Sequence, residues 1–364
     1  WGKKPYILHI KKNAIIMRYL VVFFLFPLSV FSQDICGTAY DSTIYYFPSH
    51  RSSIDFMDID VVVHVCWSDS FPGSYLEESY VEEAINLLND DMSEASLSFN
   101  LVSIDYKDLM DYSWHNIYVS NANFCFPNYG TQNTELANDL SWDTSKYCNI
   151  YIIPKMCGGI LGWSYVINSP YNARDGIWMN YTAFGVGADY LRPNNSLNKV
   201  ITHEMGHYCG LHHVFQSVTN CGNDNGLSCD VWGDFVCDTP PTKPQFSCDP
   251  PMCPEDWYDY TADNHMDYYP DSCRHHFTPG QIERMHNMLL YQRSSLFGDY
   301  PFCLGDLNND YVIGTQDLMA VLSCWGQPGC LSGDINGTGL VDVNDLQIVL
   351  SLYGTICEGH PSLD

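Results

Sequence analysis

Residues 202–215 read THEMGHYCGLHHVF, with four histidines and one glutamate in fourteen positions. On an α-helix His203 and His207 lie one turn apart on the same face. Glu204 projects about 100° round from His203, because the helix has about 3.6 residues per turn. It therefore sits close to anything the two imidazoles grip, without competing for it. Gly210 can adopt the left-handed conformation that ends a helix, and the returning chain lets His213 approach as a third ligand. Three imidazole nitrogens plus one open position describe a catalytic zinc site, whereas structural sites are closed by a fourth protein ligand. Zinc in such a site lowers the pKa of its bound water and polarises a carbonyl, and Glu204 is placed as the general base. His212 has the wrong spacing for a ligand and belongs beside the site or at the surface.

The composition places this motif in an oxidising, extracellular setting. The chain has 364 residues, with 16 Lys+Arg against 43 Asp+Glu and a net charge of −27. Such acidity argues against nucleic acid or an anionic membrane as partner. The 16 cysteines suit a compartment in which disulfides persist. From Met17 the sequence runs MRYLVVFFLFPLSVFSQ, a charged start, a short apolar core and a small residue before Gln33, as in a secretory signal peptide. Residues 1–32 are then a non-mature segment, with the signal at 17–32. Lys3, Lys4, Lys11, Lys12 and Arg18 go with it, which deepens the acidity. No membrane span is expected in the mature chain.

Further along, IDVVVHVCW (59–67) alternates and is β-branched, predicting a strand. SYVEEAINLLNDDM predicts a helix opened by a Ser79–Glu82 capping box, with Val81, Ala84, Ile85 and Leu88 at helical spacing. KYCNIYIIP (146–154) and DGIWMNYTAFG (175–185) read as strands. PNNSLNKVITHEMGHYCG reads as a helix that starts in its Asn/Ser cluster and stops at Gly210. Residues 216–275 are loop-like and dense in Cys, Pro, Asp and Gly. TPGQIERMHNMLLYQ closes the region as a helix with a Thr278–Gln281 capping box, Pro279 in its first turn and a stripe of Ile282, Met285 and Leu289. This order predicts an α+β fold.

The five fixed positions His203, Glu204, His207, Gly210 and His213 resemble the signature of the metzincin metallopeptidases. That family also needs a methionine turn beneath the metal, and NHMDYYPDSC offers Met266 for the site floor. Tyr268 resembles the family tyrosine that stabilises the tetrahedral intermediate. Within the metzincins, HEMGHYCGLHHVF, GDFVCDTPP, HMDYYPDSCRHHFTPGQIERM, LGWSYV and DGIWMNY resemble the pappalysins, the group that includes ulilysin. The resemblance covers most of residues 59–292. It implies a two-subdomain catalytic domain at 59–300: a twisted mixed sheet with a backing helix, the active-site helix, and a cysteine-rich loop subdomain. It also implies disulfides Cys221–Cys253 and Cys248–Cys273. Cys229 and Cys237 are additional and can pair with each other. Structural Ca²⁺ near the loop is implied as well, with Asp234 and Asp238 as candidates; a solvated acidic loop is the other reading. Cys209, where the family has an apolar residue, reads as a small buried hydrophobe rather than a disulfide partner.

Just past the signal, QDICGTAY carries Cys36. The family's proenzymes have a similar Cys-Gly-Thr whose thiolate fills the open position on zinc, which makes 33–58 a candidate pro-segment and Cys36 a candidate latency switch; an ordinary disulfide cysteine is the alternative. If Cys36 and Cys209 are both thiols, the remaining fourteen can all pair.

Residues 301–364 differ from the rest because they repeat. GDLNNDYVIGTQDLMAVLSCWG and GDINGTGLVDVNDLQIVLSLYG align at an offset of 28. Each reads as a 12-residue Ca²⁺ loop followed by a helix. The first site draws on Asp306, Asn308, Asp310, the Val312 carbonyl and Asp317. The second, weaker site draws on Asp334, Asn336, Thr338, the Leu340 carbonyl, Asp342 and Asp345. Aspartate in the closing position makes the pair resemble a type I dockerin, which implies a small all-α calcium domain binding two ions, and a cohesin-like or cell-surface partner. Cys303, Cys324, Cys330 and Cys357 flank the repeats and depart from that pattern; a calcium-stapled stability or surface-attachment module is the simpler role.

Together these readings predict a secreted zinc metalloendopeptidase acting on extended protein or peptide substrates, laid along DGIWMNY as edge strand. The acidic balance and the family resemblance both suggest cleavage beside Arg or Lys. The competing reading is a non-catalytic, calcium-dependent adhesion or scaffold-docking protein with a vestigial metal site, which would have no use for Glu204.

Overall fold

The computed structural model describes Cys36 and residues 57–121, 130–164, 173–216, 234–239, 242–248, 263–297, 305–308, 310–326, 333, 335 and 341–357. All of these belong to the compact unit Gln33–Asp364. The signal segment, most of 33–58, Cys221, Cys229, Cys253, Cys303, Cys330, Asp334, Asn336, Thr338 and Leu340 lie outside the described residues.

Five strands form one sheet: β1 (Met57–Trp67), β2 (Leu97–Asp108), β3 (Cys148–Ile153), β4 (Gly162–Ser164) and β5 (Ile177–Asn180). Their spatial order is β2-β1-β3-β5-β4. Every pairing is parallel except that of β4, which runs antiparallel to β5. β1 is interior and buried on both faces from Val61 to Cys66, as expected where both sides of a parallel sheet are covered. One face carries Ile59, Val61, Val63 and Val65 into the main core, which also holds Val81, Ile85 and Leu88 of helix α1 (Glu78–Met92). On the other face, His64, Tyr151, Trp178 and Trp163 follow one another across β1, β3, β5 and β4 in register. Their rings contact in sequence at centroid separations of 4.8, 4.2 and 6.0 Å. Tyr118 of α2 (His115–Ser120) and Leu136 of α3 (Gly130–Leu140) belong to the cluster on this face.

Three local expectations change. DGIWMNY is not an edge strand: β5 lies between β3 and β4, and β4, from the LGWSYV segment, forms the edge. The Ser79–Glu82 capping box does not form, because the helix begins at Glu78 and both residues fall inside it. The extended Glu77 supplies the first carbonyl instead, accepting from Tyr80 N and Val81 N at 3.0 and 3.2 Å. The histidine-bearing helix α4 spans Lys199–Tyr208 and so starts after the Asn/Ser cluster. Asn198 precedes it in a left-handed conformation (φ 64°), which asparagine tolerates better than most residues. Its buried side chain donates to Ala84 O and accepts from Gly185 N. The helix start is served from a distance by Asp271, whose carboxylate accepts from Leu197 N at 2.9 Å and Lys199 N at 3.3 Å.

The closing helix α5 (Pro279–Gln292) has the expected Thr278–Gln281 capping box, with Pro279 in its first turn. Met285 and Leu289 are fully buried, and Ile282 packs partly buried against the same core. At its C-cap, Arg293 pairs with Asp175 just before β5, donates Nε to Tyr208 O at 3.1 Å, and lies 3.7 Å over the Tyr208 ring. Burial works against the charge, but the tyrosine and aspartate around it raise the Arg293 pKa. Loss of one partner from such a buried pair costs about 3–5 kcal/mol. This ion pair therefore ties the end of α4 to both the sheet and α5.

Cys248 and Cys273 form the expected disulfide. Cys157, Cys237, Cys324 and Cys357 are also disulfide-bonded. Cys209 is a buried thiol, as expected, and its burial pushes the pKa up to about 12. Cys66 and Cys148 are buried thiols too, so the fourteen remaining cysteines do not all pair. Both sit inside the core on strands where a small hydrophobe is required. In the repeat region, α6 (Thr315–Cys324) and α7 (Val343–Leu352) follow their loops. They share a small core of Ile313, Val321, Ile335, Val341 and Val349 with the two cysteines Cys324 and Cys357.

A candidate metal centre on a buried helix

Every residue of α4 from Val200 to Tyr208 is buried, which excludes a histidine-rich surface helix. His203 and His207 point from one face of it, and Gly210 (φ 97°) turns the chain behind them. No larger residue fits there, because a Cβ would overlap Met288. His213 then returns to the same point. The three Nε2 atoms stand 3.1–3.2 Å apart. Nitrogen ligands at the usual zinc distance, at tetrahedral angles, would be roughly 3.3 Å apart, so the donor set fits one zinc ion.

Protonation supports the same reading. His203 Nδ1 donates to His265 O at 2.7 Å and His207 Nδ1 donates to Leu211 O at 2.8 Å. Each bond fixes the tautomer that leaves the Nε2 lone pair aimed inward. Burial lowers the His207 pKa to about 4. Burial first, then the neighbouring imidazoles, takes His203 and His213 well below their ordinary value. All three are neutral at pH 7, the form that binds metal.

Glu204 is fully buried next to this cluster. Space for it comes from Gly162 on edge strand β4: a Cβ there would stand 2.5 Å from both Glu204 Cγ and Oε1. Met266, expected as the floor of the site, has its sulfur against Gly206, where a methyl group would overlap it. Tyr268 packs edge-on to His213 at 5.0 Å and against His203 at 6.0 Å. Burial, then the nearby Cys36 and Glu204, raises its phenol pKa, so it remains a proton donor. Phe215 stacks on His213 at 4.7 Å, and both Phe215 and the exposed Phe246 pack against Tyr268.

Cys36 joins the cluster. Its sulfur and the three histidine nitrogens all lie within 4.8 Å of one another, and its Sγ is 3.6 Å from Glu204 Oε2. His212 is buried rather than at the surface, packed edge-on to Phe235. Asp234 and Asp238 have protein partners. Asp234 accepts from Val236 N and Thr239 Oγ1, and burial pushes its pKa up to about 7. Asp238 accepts from Thr278 Oγ1 and Gly280 N at the start of α5. Asp306, Asn308, Asp310, Val312 and Asp317, the expected calcium ligands of the first repeat, are linked by hydrogen bonds (Asn308 N to Asp317, Asp310 N to Asp306 and Asn308, Val312 N to Asp310), and of the second set Asp342 and Asp345 are described. Gly162 escaped the sequence reading, since nothing in one sequence says which glycine faces Glu204.

Comparison with known proteins bears on the family and the fold. Residues 130–290 match the peptidase family described as pregnancy-associated plasma protein-A. An extracellular metalloprotease of Arthroderma benhamiae is 31% identical over 212 residues, covering 56% of this chain and 63% of that protein. The chain thus spans just under two thirds of that relative. An extracellular metalloprotease of Pyricularia oryzae is 30% identical over 244 residues, covering 65% of this chain and 77% of its own. Among solved structures, mature mirolysin of Tannerella forsythia in complex with a cleaved peptide superposes with a TM-score of 0.51 at 22% identity, over 68% of this chain and 97% of that one. This likeness concerns the fold.

Replacing Gly162 with alanine forces Glu204 to move. Misplacing a reacting group by about 1 Å costs on the order of 100-fold in rate. Peptide hydrolysis by Gly162→Ala should fall by about that factor while zinc content and circular dichroism stay unchanged. Full activity in the variant would mean that the Glu204 position does not matter.

Proposed function

Because the chain belongs to the metallopeptidase family described as pregnancy-associated plasma protein-A, we propose that it is a secreted zinc endopeptidase that hydrolyses extended protein or peptide substrates. The observation that carries this reading is the convergence of three neutral imidazole nitrogens, 3.1–3.2 Å apart, beside a buried glutamate. Secretion is supported by relatives named as extracellular. Among the described residues no helix is long and apolar enough to cross a membrane.

His203, His207 and His213 would hold the ion, which supplies Lewis acidity to the scissile carbonyl and to the attacking water. An extended substrate pairs with the outer edge of β4, taking the place of a sixth strand. The reacting carbonyl then comes to lie over Gly162, next to Glu204. Glu204 accepts a proton from the water as it attacks and passes it to the departing amine. Tyr268 donates a hydrogen bond to the oxygen on which charge develops. Removal of such a donor typically costs about 100- to 1,000-fold in turnover.

Cys36 keeps this arrangement latent. Its position among the histidine nitrogens and 3.6 Å from Glu204 supports the reading. A thiolate there competes with water for the open position. The segment carrying it must leave before substrate can enter.

The repeats form a calcium-stapled module that attaches the enzyme to a cohesin-like or cell-surface partner. Support comes from the shared use of the two closing aspartates. Asp317 accepts from Leu307 N and Gly314 N, and Asp345 accepts from Ile335 N and Asp342 N at the same offset of 28. Burial, then the Asp317 and Asp310 carboxylates, raises the Asp306 pKa, a crowding that a divalent cation relieves. Equilibrium dialysis should find two calcium ions per chain in the repeats. Loss of that binding in Asp317→Ala plus Asp345→Ala is expected, and a chain that takes up no calcium would oppose this role.

The alternative, an adhesion protein with a vestigial metal site, is separated by one substitution. Glu204→Ala should leave zinc at one per chain and abolish peptide hydrolysis; undiminished hydrolysis would sink the proposed mechanism.

A further inference from the structure

We infer that Asn264 and Gln281 are positioning residues for the zinc ligand His203, acting through the peptide unit between His265 and Met266. The inference rests on the zinc-site reading above. The carbonyl of this unit, His265 O, accepts from His203 Nδ1 at 2.7 Å. Its amide, Met266 N, donates to Asn264 Oδ1 at 2.9 Å. Carbonyl and amide share one rigid plane. Holding the N–H therefore fixes where the carbonyl points, and with it the plane and tautomer of His203.

Asn264 is itself held. Its Nδ2 donates to Gln281 Oε1 at 2.7 Å, and Gln281 Nε2 donates back to Asn264 Oδ1 at 3.2 Å. Gln281 Oε1 also accepts from Thr278 N at 2.9 Å, which is half of the α5 capping box. Both amides are fully buried, so neither can exchange its partner for water. A continuous chain of polar contacts thus runs from the first turn of α5 through two amides and one peptide plane to the ring of His203. The capping glutamine does two jobs: it starts a helix and it aims a metal ligand.

The two jobs can be separated. Glutamate serves as well as glutamine in a capping box, so Gln281→Glu keeps the acceptor for Thr278 N. It replaces the Nε2 donor with an oxygen facing Asn264 Oδ1, which disturbs the asparagine amide and frees the peptide plane. Loss of a group that orients a metal-ligating histidine typically weakens metal binding about 10- to 100-fold. Zinc affinity, measured by chelator competition on folded apoprotein, should fall by that factor in both Gln281→Glu and Asn264→Ala. The visible spectrum of the cobalt-substituted Gln281→Glu protein should shift as well. Leu289→Ala, a core truncation in the same helix, should lower thermal stability without changing zinc affinity. Unchanged affinity and an unchanged cobalt spectrum in Gln281→Glu would overturn the inference, as would an equal loss of affinity in Leu289→Ala. If the unmodified chain binds no zinc, the site reading fails and this inference fails with it.

Discussion

Three buried imidazole nitrogens converge on one point, and much of the surrounding structure serves to keep them there. Neutral nitrogens with their lone pairs turned toward one another have no attraction of their own, so the surroundings must impose the arrangement. Burial of α4 on all sides keeps the rings uncharged. Two backbone carbonyls hold their outer nitrogens, and Arg293 with Asp175 secures the end of the helix. The sheet contributes through its edge: β4 brings a glycine against Glu204 where any side chain would collide. The buried glutamate, the three imidazoles and the sheet edge thereby meet within one small volume.

Much of this centre was legible in the sequence because its spacing is local. His203, Glu204 and His207 lie on one helix and Gly210 two residues past its end, and helical geometry fixes the relation of the first three before any tertiary contact forms. The Thr278–Gln281 cap was legible for the same reason. The start of α4 was not, since Asn198 turns its side chain toward Ala84 and Gly185 and leaves the capping to Asp271, 73 positions beyond it in the chain. Ser79 and Glu82 have the right spacing for a box, yet the chain enters that helix at Glu78. Spacing alone cannot decide between a helix start and a helix interior.

The sheet was read less completely than the helices. No strand was legible at 97–108, where β2 forms the other sheet edge and only Leu97 and Phe99 are buried. β4 has three residues, too few for any alternation to show. Its neighbour β5 is buried throughout and lies between β3 and β4, so DGIWMNY is interior and not the substrate edge. Roles that depend on residues distant in sequence, such as Gly162 facing Glu204 or Asn264 meeting Gln281, carry no local signal at all.

The central claim is that this centre performs zinc-dependent peptide hydrolysis, with Cys36 restraining it. The most direct test is digestion of a diverse peptide pool by the chain beginning at Gln33 and by its Cys36→Ser variant, with products identified by mass spectrometry. The account predicts internal cleavage that is faster in Cys36→Ser, stops on chelation and returns when zinc is restored. A Cys36→Ser chain that holds one zinc ion and leaves every peptide intact would contradict it.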